Sequence, residues 1–299
     1  SLSCWGALNP EPAPLFQRVS VGAAHGCAVK ADQTLSCWGW PRAGRETPPS
    51  GPFTQIAVGG DHSCALDSER LVQCWGVGID PNRFERDGDF DQASPLPALT
   101  TQTVSMIAVG DFHSCVITTS GDVSCWGDSR YGQTAPPVLS AAPREISLGA
   151  RHSCVLTEVG EAICWGDDQA QQLTPPEDTT FTQIHAAGDM TCGVTPEHLV
   201  SCWGALRGLE PPREPVDLLS LGDGMLCVQY IESSEVTCQV ATKIGDQPTI
   251  RSLLVSDEHA VYLSSGAGAA CAIRDDERLS CEGDHAPRAY PPLTMDEDF

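Results

Sequence analysis

The chain has 299 residues, 41% apolar and 19% charged, with 28 Gly and 23 Pro. That balance excludes collagen, coiled coil and a fully disordered chain, and it supplies enough apolar residues to bury a core. Forty Asp and Glu against 17 Lys and Arg give a formal charge of −23, which repels phosphate backbones, so no nucleic-acid partner is expected. No apolar run approaches the ~18 residues that cross a bilayer, so membrane insertion of this chain is not expected either.

The sequence opens on a half unit, SLSCWG at residues 1–6, and then repeats. Seven cysteine pairs follow: Cys27 with Cys37, Cys64 with Cys74, Cys115 with Cys125, Cys154 with Cys164, Cys192 with Cys202, Cys227 with Cys238, and Cys271 with Cys281. Six pairs are spaced by ten residues and the sixth in order by eleven. Around them recur VGAAHGCAVKADQTLSCWG, VGGDHSCALDSERLVQCWG, VGDFHSCVITTSGDVSCWG, LGARHSCVLTEVGEAICWG and AAGDMTCGVTPEHLVSCWG, then the weaker LGDGMLCVQYIESSEVTCQV and SGAGAACAIRDDERLSCEG. A fixed-period recurrence of this kind marks a repeat protein.

Within each unit, β-formers flank a short polar turn such as Thr119-Ser120-Gly121-Asp122, which predicts a β-hairpin. Placing Cys115 opposite Cys125 pairs 116 with 124 and 117 with 123. Directly opposed Cα atoms then lie ~4.5–5.5 Å apart, within disulfide range. Zinc is the rival reading, because the strand period puts His62 on the face of Cys64 and Cys74. The later units replace that His with Met190, Met225 or Ala269 and keep both cysteines, so seven hairpin disulfides are expected. Such a set persists outside the cell, on its surface or in a periplasm. Cys4 is left over: a free thiol, a partner in the closing unit, or a link to another chain.

Between hairpins, TPPSGPFTQIAVGG (47–60) and TPPEDTTFTQIHAAG (174–188) are near copies. The unit therefore reads CWG, polar loop, Pro-rich approach, short strand, HSC strand, turn, CWG. Seven such units of three or four strands cannot bury their faces alone and must pack radially or in a stack. The VGGDHSCAL, CWG and WGDSRYGQTAPP (126–137) segments resemble the repeat of the regulator of chromosome condensation family, in its cysteine-rich secreted or surface bacterial form. The resemblance implies an all-β, seven-bladed β-propeller, each blade four antiparallel strands around a central channel. It spans 1–299 as one domain, with an insertion at 77–100 and divergent blades over 227–285.

No GxSxG, HExxH or SxxK motif and no phosphate-cradling loop is present, so an enzyme is not expected; a carbohydrate-active or lyase propeller is the rival. Function is sought in the loops that depart from the repeat. Successive pairs are separated by 27, 29, 28 and 25 residues in ordinary units but by 41 from Cys74 to Cys115. That insertion carries Arg83, Phe84, Arg86 and Phe90, residue types favoured at interfaces, and Trp40 and Tyr131 join them as candidate binding residues. Asp87, Asp89 and Asp91 alternate as in hard-cation loops, a partial calcium motif within 80–91 that lacks the closing Glu. The expected function is a protein-binding scaffold outside the cell or on its surface. Self-assembly through the terminal strand is the alternative.

Overall fold

The computed structural model describes residues 14–40, 44–77, 90–244 and 247–283. Seven antiparallel sheets follow one another along the chain. The first three are β1–β3 (Phe16–Val21, His25–Lys30, Leu35–Gly39), β4–β6 (Phe53–Val58, His62–Asp67, Val72–Gly76) and β7–β9 (Val104–Val109, His113–Thr118, Val123–Gly127). Next come β10–β12 (Pro143–Leu148, His152–Thr157, Ala162–Gly166) and β13–β15 (Gln183–Ala187, Met190–Val194, Val200–Gly204). The last two are β16–β19 (Val216–Gly222, Met225–Tyr230, Val236–Ile244, Gln247–Ser256) and β20–β22 (Ala260–Ser265, Ala269–Arg274, Leu279–Gly283).

The first strands β1, β4, β7, β10, β13, β16 and β20 each touch the next, and β20 touches β1, so the seven sheets close into a ring around a channel. This is the seven-bladed propeller expected from the repeat. Among the described residues, six blades have three strands rather than four. The segments after CWG, such as 44–52 and 128–142, are rich in Pro and Gly and form turns; Pro has no N–H to give a ladder. Among the described residues only the sixth blade has a fourth strand, where QPTIRSLLVS supplies β-branched residues.

Each hairpin takes the expected register, with Val116 opposite Ser124 and Ile117 opposite Val123. All seven cysteine pairs are disulfide-bonded with Cα atoms 4.0–4.1 Å apart. Cys27 is bonded to Cys37, Cys64 to Cys74, Cys115 to Cys125 and Cys154 to Cys164. Cys192 is bonded to Cys202, Cys227 to Cys238 and Cys271 to Cys281. The two halves of a bridge are not equally covered. Cys154 and Cys192 are fully buried on the middle strand of their blades, whereas Cys164 and Cys202 lie on the outer edge strands β12 and β15 and are only partly buried. The extra residue between Cys227 and Cys238 is absorbed in the turn, and the two still face each other. The zinc reading falls here: both sulfurs near His62 are bonded to each other, and His62 hydrogen-bonds the neighbouring blade.

The core is divided among the blade interfaces. Cys27, Val29, Phe53, Ile56 and Trp75 fill the gap between the first and second blades. The ring closes on Phe16, Val19, Val21, Ala269 and Ile273 between the seventh and first. At the narrow part of the channel the blades meet backbone to backbone. A β-carbon on Gly59 would run into the carbonyl oxygen of Gly110, and one on Gly266 into that of Gly22. The small residue that opens each VGG-type turn is therefore what lets the ring close tightly.

Candidate binding face

The repeated His is spent on joining blades. His25, His62, His113 and His152 place Nε2 2.7–2.9 Å from the hydroxyls of Ser63, Ser114, Ser153 and Thr191 in the next blade. Ser114 and Ser153 donate their own protons to the carbonyls of Gln92 and Gln133. The hydroxyl proton is thus already used, so Nε2–H of His62 and His113 must be the donor, which leaves Nδ1 bare. All four Nδ1 atoms are buried and without a hydrogen-bond partner. Burial accordingly pushes the imidazoles down, to about 3 for His25, His62 and His113 and about 4 for His152.

The Trp of CWG completes the joint. Trp75, Trp126, Trp165 and Trp203 are buried, and each indole N–H donates to a loop carbonyl of the preceding blade, on Arg45, Gln92, Gln133 and Gln172 respectively. Gln92, Gln133 and Gln172 are fully buried, and each side-chain oxygen accepts the N–H two residues earlier. The loops that follow CWG in the first four blades are thereby pinned at their far ends by the next blade.

The near ends of these loops lie beside the turns between the first and second strands. Trp40, Val77, Asp128, Asp167 and Ala205 donate backbone N–H to the carbonyls of Ala24, Asp61, Phe112, Arg151 and Asp189. The two loop sets thus share one face of the ring, around one mouth of the channel. Four carboxylates gather there. Asp61 pairs with buried Arg45, while Asp189 and Asp223 share Arg207 at 3.6 and 2.9 Å. Burial pushes Asp111 up to about 6, and the charges of Asp223, Asp189 and Asp61 add to that, with Arg151 opposing. Around this acidic mouth runs a rim of aromatic and Arg side chains. Phe90 meets Phe112 edge-on at 5.8 Å, the Arg130 guanidinium lies 4.4 Å above Phe90, and that of Arg151 lies 5.0 Å above Tyr131.

Residues 53–78, 104–133 and 144–172 match the family model of the regulator of chromosome condensation (RCC1) repeat. The chain carries RCC1 repeats. No curated protein matches this RCC1-repeat chain in sequence. Among solved structures, it is similar to the CRINKLY WD40 ectodomain of the Arabidopsis thaliana receptor kinase ACR4. The TM-score is 0.71 at 21% identity over 93% of this chain and 99% of that one. The ectodomain of the Physcomitrella patens receptor kinase CR4 follows at TM-score 0.70 and 23% identity, covering 92% and 75%. Prp20p of Saccharomyces cerevisiae, described with its binding properties to Gsp1p and histones, gives 0.66 at 13%, covering 91% and 82%. At these identities the likeness establishes the propeller fold.

The RCC1-repeat ring puts the describable sequence candidates on the same face. Trp40 is 66% exposed at the start of the first blade's loop. Phe90 and Tyr131 stand on neighbouring loops, with Arg130 stacked on the first and Arg151 on the second. Arg83, Phe84, Arg86, Asp87, Asp89 and Cys4 lie outside the described residues. Asp91 sits in a turn at φ 58°, its carbonyl accepting the Ser94 N–H. Among the described residues, no group of three or more His, Cys, Asp or Glu could hold a metal ion. Arg45, Gln92, Gln133 and Gln172 escaped the sequence reading although a signal exists. Arg45, Gln133 and Gln172 each fall seven residues after the Trp of CWG, and Gln92 falls seventeen after it. The insertion is thus ten residues set between two anchors that ordinary loops also use.

Proposed function

We propose that this chain is a protein-binding scaffold that works in an oxidising setting outside the cytosol, on or beyond the cell surface. The channel-mouth face is its docking surface. The observation that carries this reading is convergence: the insertion's anchors, the exposed Trp40, the Phe90–Arg130 and Tyr131–Arg151 stacks and the acidic mouth all meet on one face. Seven hairpin disulfides point to the oxidising location. No helix among the described residues is long and apolar enough to cross a membrane. The receptor-kinase ectodomains supply extracellular precedents for the fold, and Prp20p a precedent for protein binding by it. Aromatic and Arg side chains are preferred anchors because they bury a large area at small entropic cost, and loops pinned by the next blade lose little freedom on docking. The acidic mouth favours a partner segment carrying Lys or Arg.

Capture and crosslinking from the native extracellular fraction test this. A triple variant, Trp40→Ser with Phe90→Ser and Tyr131→Ser, should lose the partner. Val159→Ser, an exposed residue in a turn at the opposite end of its blade, should keep it. Equal capture by all forms would refute the assignment of the face.

A further inference from the structure

The other end of the channel is built differently. The first strands of six blades carry a register shift near their start, between Phe16 and Arg18, Phe53 and Gln55, Val104 and Met106, Pro143 and Glu145, Val216 and Leu218, and Ala260 and Tyr262. A bulge re-aims the residue that follows it. Here Arg18, Gln55, Met106, Glu145 and Tyr262 line a cavity of about 410 Å³, and His185 joins them from β13. Its walls are not equivalent. Arg18 belongs to the first blade, with its guanidinium 5.2 Å above the ring of Tyr262 in the seventh. Glu145 and His185 belong to the fourth and fifth blades, across the ring from that pair.

Two of these groups keep their polar atoms uncommitted. His185 occupies the register of Ser20, Ser147, Ser220 and Ser264, whose hydroxyls stitch one first strand to the next by accepting the N–H of Val58, Ala186, Ser265 and Val21. Among the described residues the imidazole of His185 and the hydroxyl of Tyr262 make no hydrogen bond. Gln55, by contrast, is committed to the Ser105 carbonyl, and Arg144 turns away to those of Phe181 and Thr182. A concave, partly apolar cavity of a few hundred Å³ with a few converging polar groups is what a small-molecule site requires.

We propose that this end of the channel binds a small zwitterion of the α-amino-acid class, its carboxylate at Arg18 and its ammonium at Glu145 and His185. Opposite charges on facing walls select a ligand bearing both signs; a simple amine leaves Arg18 unanswered and a simple acid leaves Glu145 so. The protonation states agree. Burial pushes His185 down to about 4, which leaves a neutral acceptor, and pushes Glu145 up to about 7, opposed by the Ile184 N–H and by Arg144. An ammonium at Glu145 would restore the carboxylate and release the proton it holds near neutrality.

Isothermal titration of the purified chain against each of the twenty common L-amino acids tests the site, with ethanolamine and acetate as single-charge controls. At least one amino acid should bind at one per chain. Glu145→Gln and Arg18→Gln should each weaken it at least tenfold, and the Val159→Ser variant, outside both sites, should bind as the unaltered chain does. If either channel variant fails to fold, the unaltered chain decides: affinity should rise between pH 6 and 8 as Glu145 ionises among Arg18, Arg144, His185 and Tyr262. The proposal is overturned by no binding of any amino acid, by ethanolamine or acetate binding as tightly, by channel variants within twofold of the original, or by affinity flat across that pH range. Loss of protein capture in the triple loop variant, at the opposite mouth, is read separately.

Discussion

Acid should loosen the ring, and the four blade-joining histidines set the size of the effect. His25, His62, His113 and His152 are at most 2% exposed, and each is held neutral in the fold with its pKa near 3 or 4 against 6.5 unfolded. The unfolded chain therefore binds protons that the folded chain refuses. The stabilisation is complete above about pH 6.5 and is lost as pH falls toward the folded values. At pH 5 each such imidazole costs about 2 kcal/mol relative to pH 8, about 8 kcal/mol for four. His185 acts in the same direction. Glu145 and Asp111, with raised pKa values, act oppositely, because the fold keeps protons there that the unfolded chain releases. Both face channel water, which reduces their offset, so the net gain from pH 5 to 8 is at least about 4 kcal/mol, comparable with a whole domain's stability. Guanidinium unfolding with disulfides intact reads this directly. The His113→Met variant isolates one imidazole, since Met190 and Met225 already occupy that register. At pH 8 it should cost about 1 kcal/mol, because Ser153 keeps the Gln133 carbonyl. Its difference between pH 5 and pH 8 should shrink by about 2 kcal/mol. An unchanged pH dependence in that variant would refute the buried, neutral Nε2–H assignment.

Three further outcomes follow from the same geometry. Replacing Cys115 and Cys125 together by Ala opens a loop of about ten residues, which should lower stability by about 2.7 kcal/mol on chain entropy, measured by denaturant midpoint. Gly59→Ala should prevent a soluble, monodisperse ring or strongly lower its melting temperature, because its β-carbon would run into the Gly110 backbone carbonyl and the Val109 side chain; a melting temperature within about 2 °C of the original would count against the tight closure. Hydrogen exchange should be faster in the sixth and seventh blades, where Met225 and Ala269 replace the joining His and where Gln239 and Glu282 replace the Trp of CWG. Uniform protection across all seven would show that the His–Ser joints contribute little.

Much of the scaffold was legible because one constraint repeats. Ten-residue Cys spacing around a polar turn gives one hairpin register once the two cysteines are set opposite each other, and the replacement of His62's equivalents by Met and Ala favours disulfide over metal without any structure. The uneven cover of the bridges was not legible: Cys164 and Cys202 read like their partners in the repeat, and only the missing fourth strand leaves them at a blade edge. The strand count itself was obscured too. The resemblance implied four strands per blade, whereas among the described residues Pro-Pro and Gly after CWG deny the ladder its donors and a fourth strand forms only at 247–256. The site was legible only in part. Trp40, Phe90 and Tyr131 could be picked as loop aromatics, but their shared face depends on Gln92 and Gln133 returning each loop beneath the next Trp, a spacing the insertion obscures. Arg18, Glu145, His185 and Tyr262 gave no signal. Strand alternation separates two faces, yet the polar face reads as solvent until ring closure makes it the wall of a channel.

Cystine mapping tests the central claim most directly. Peptides from the unreduced native protein, taken from where the cell places it and alkylated at once, should yield seven linked pairs, each joining cysteines of one hairpin, from Cys27–Cys37 to Cys271–Cys281. Free thiols at those positions, or bridges joining one blade to another, would contradict both the stapled ring and its oxidising location.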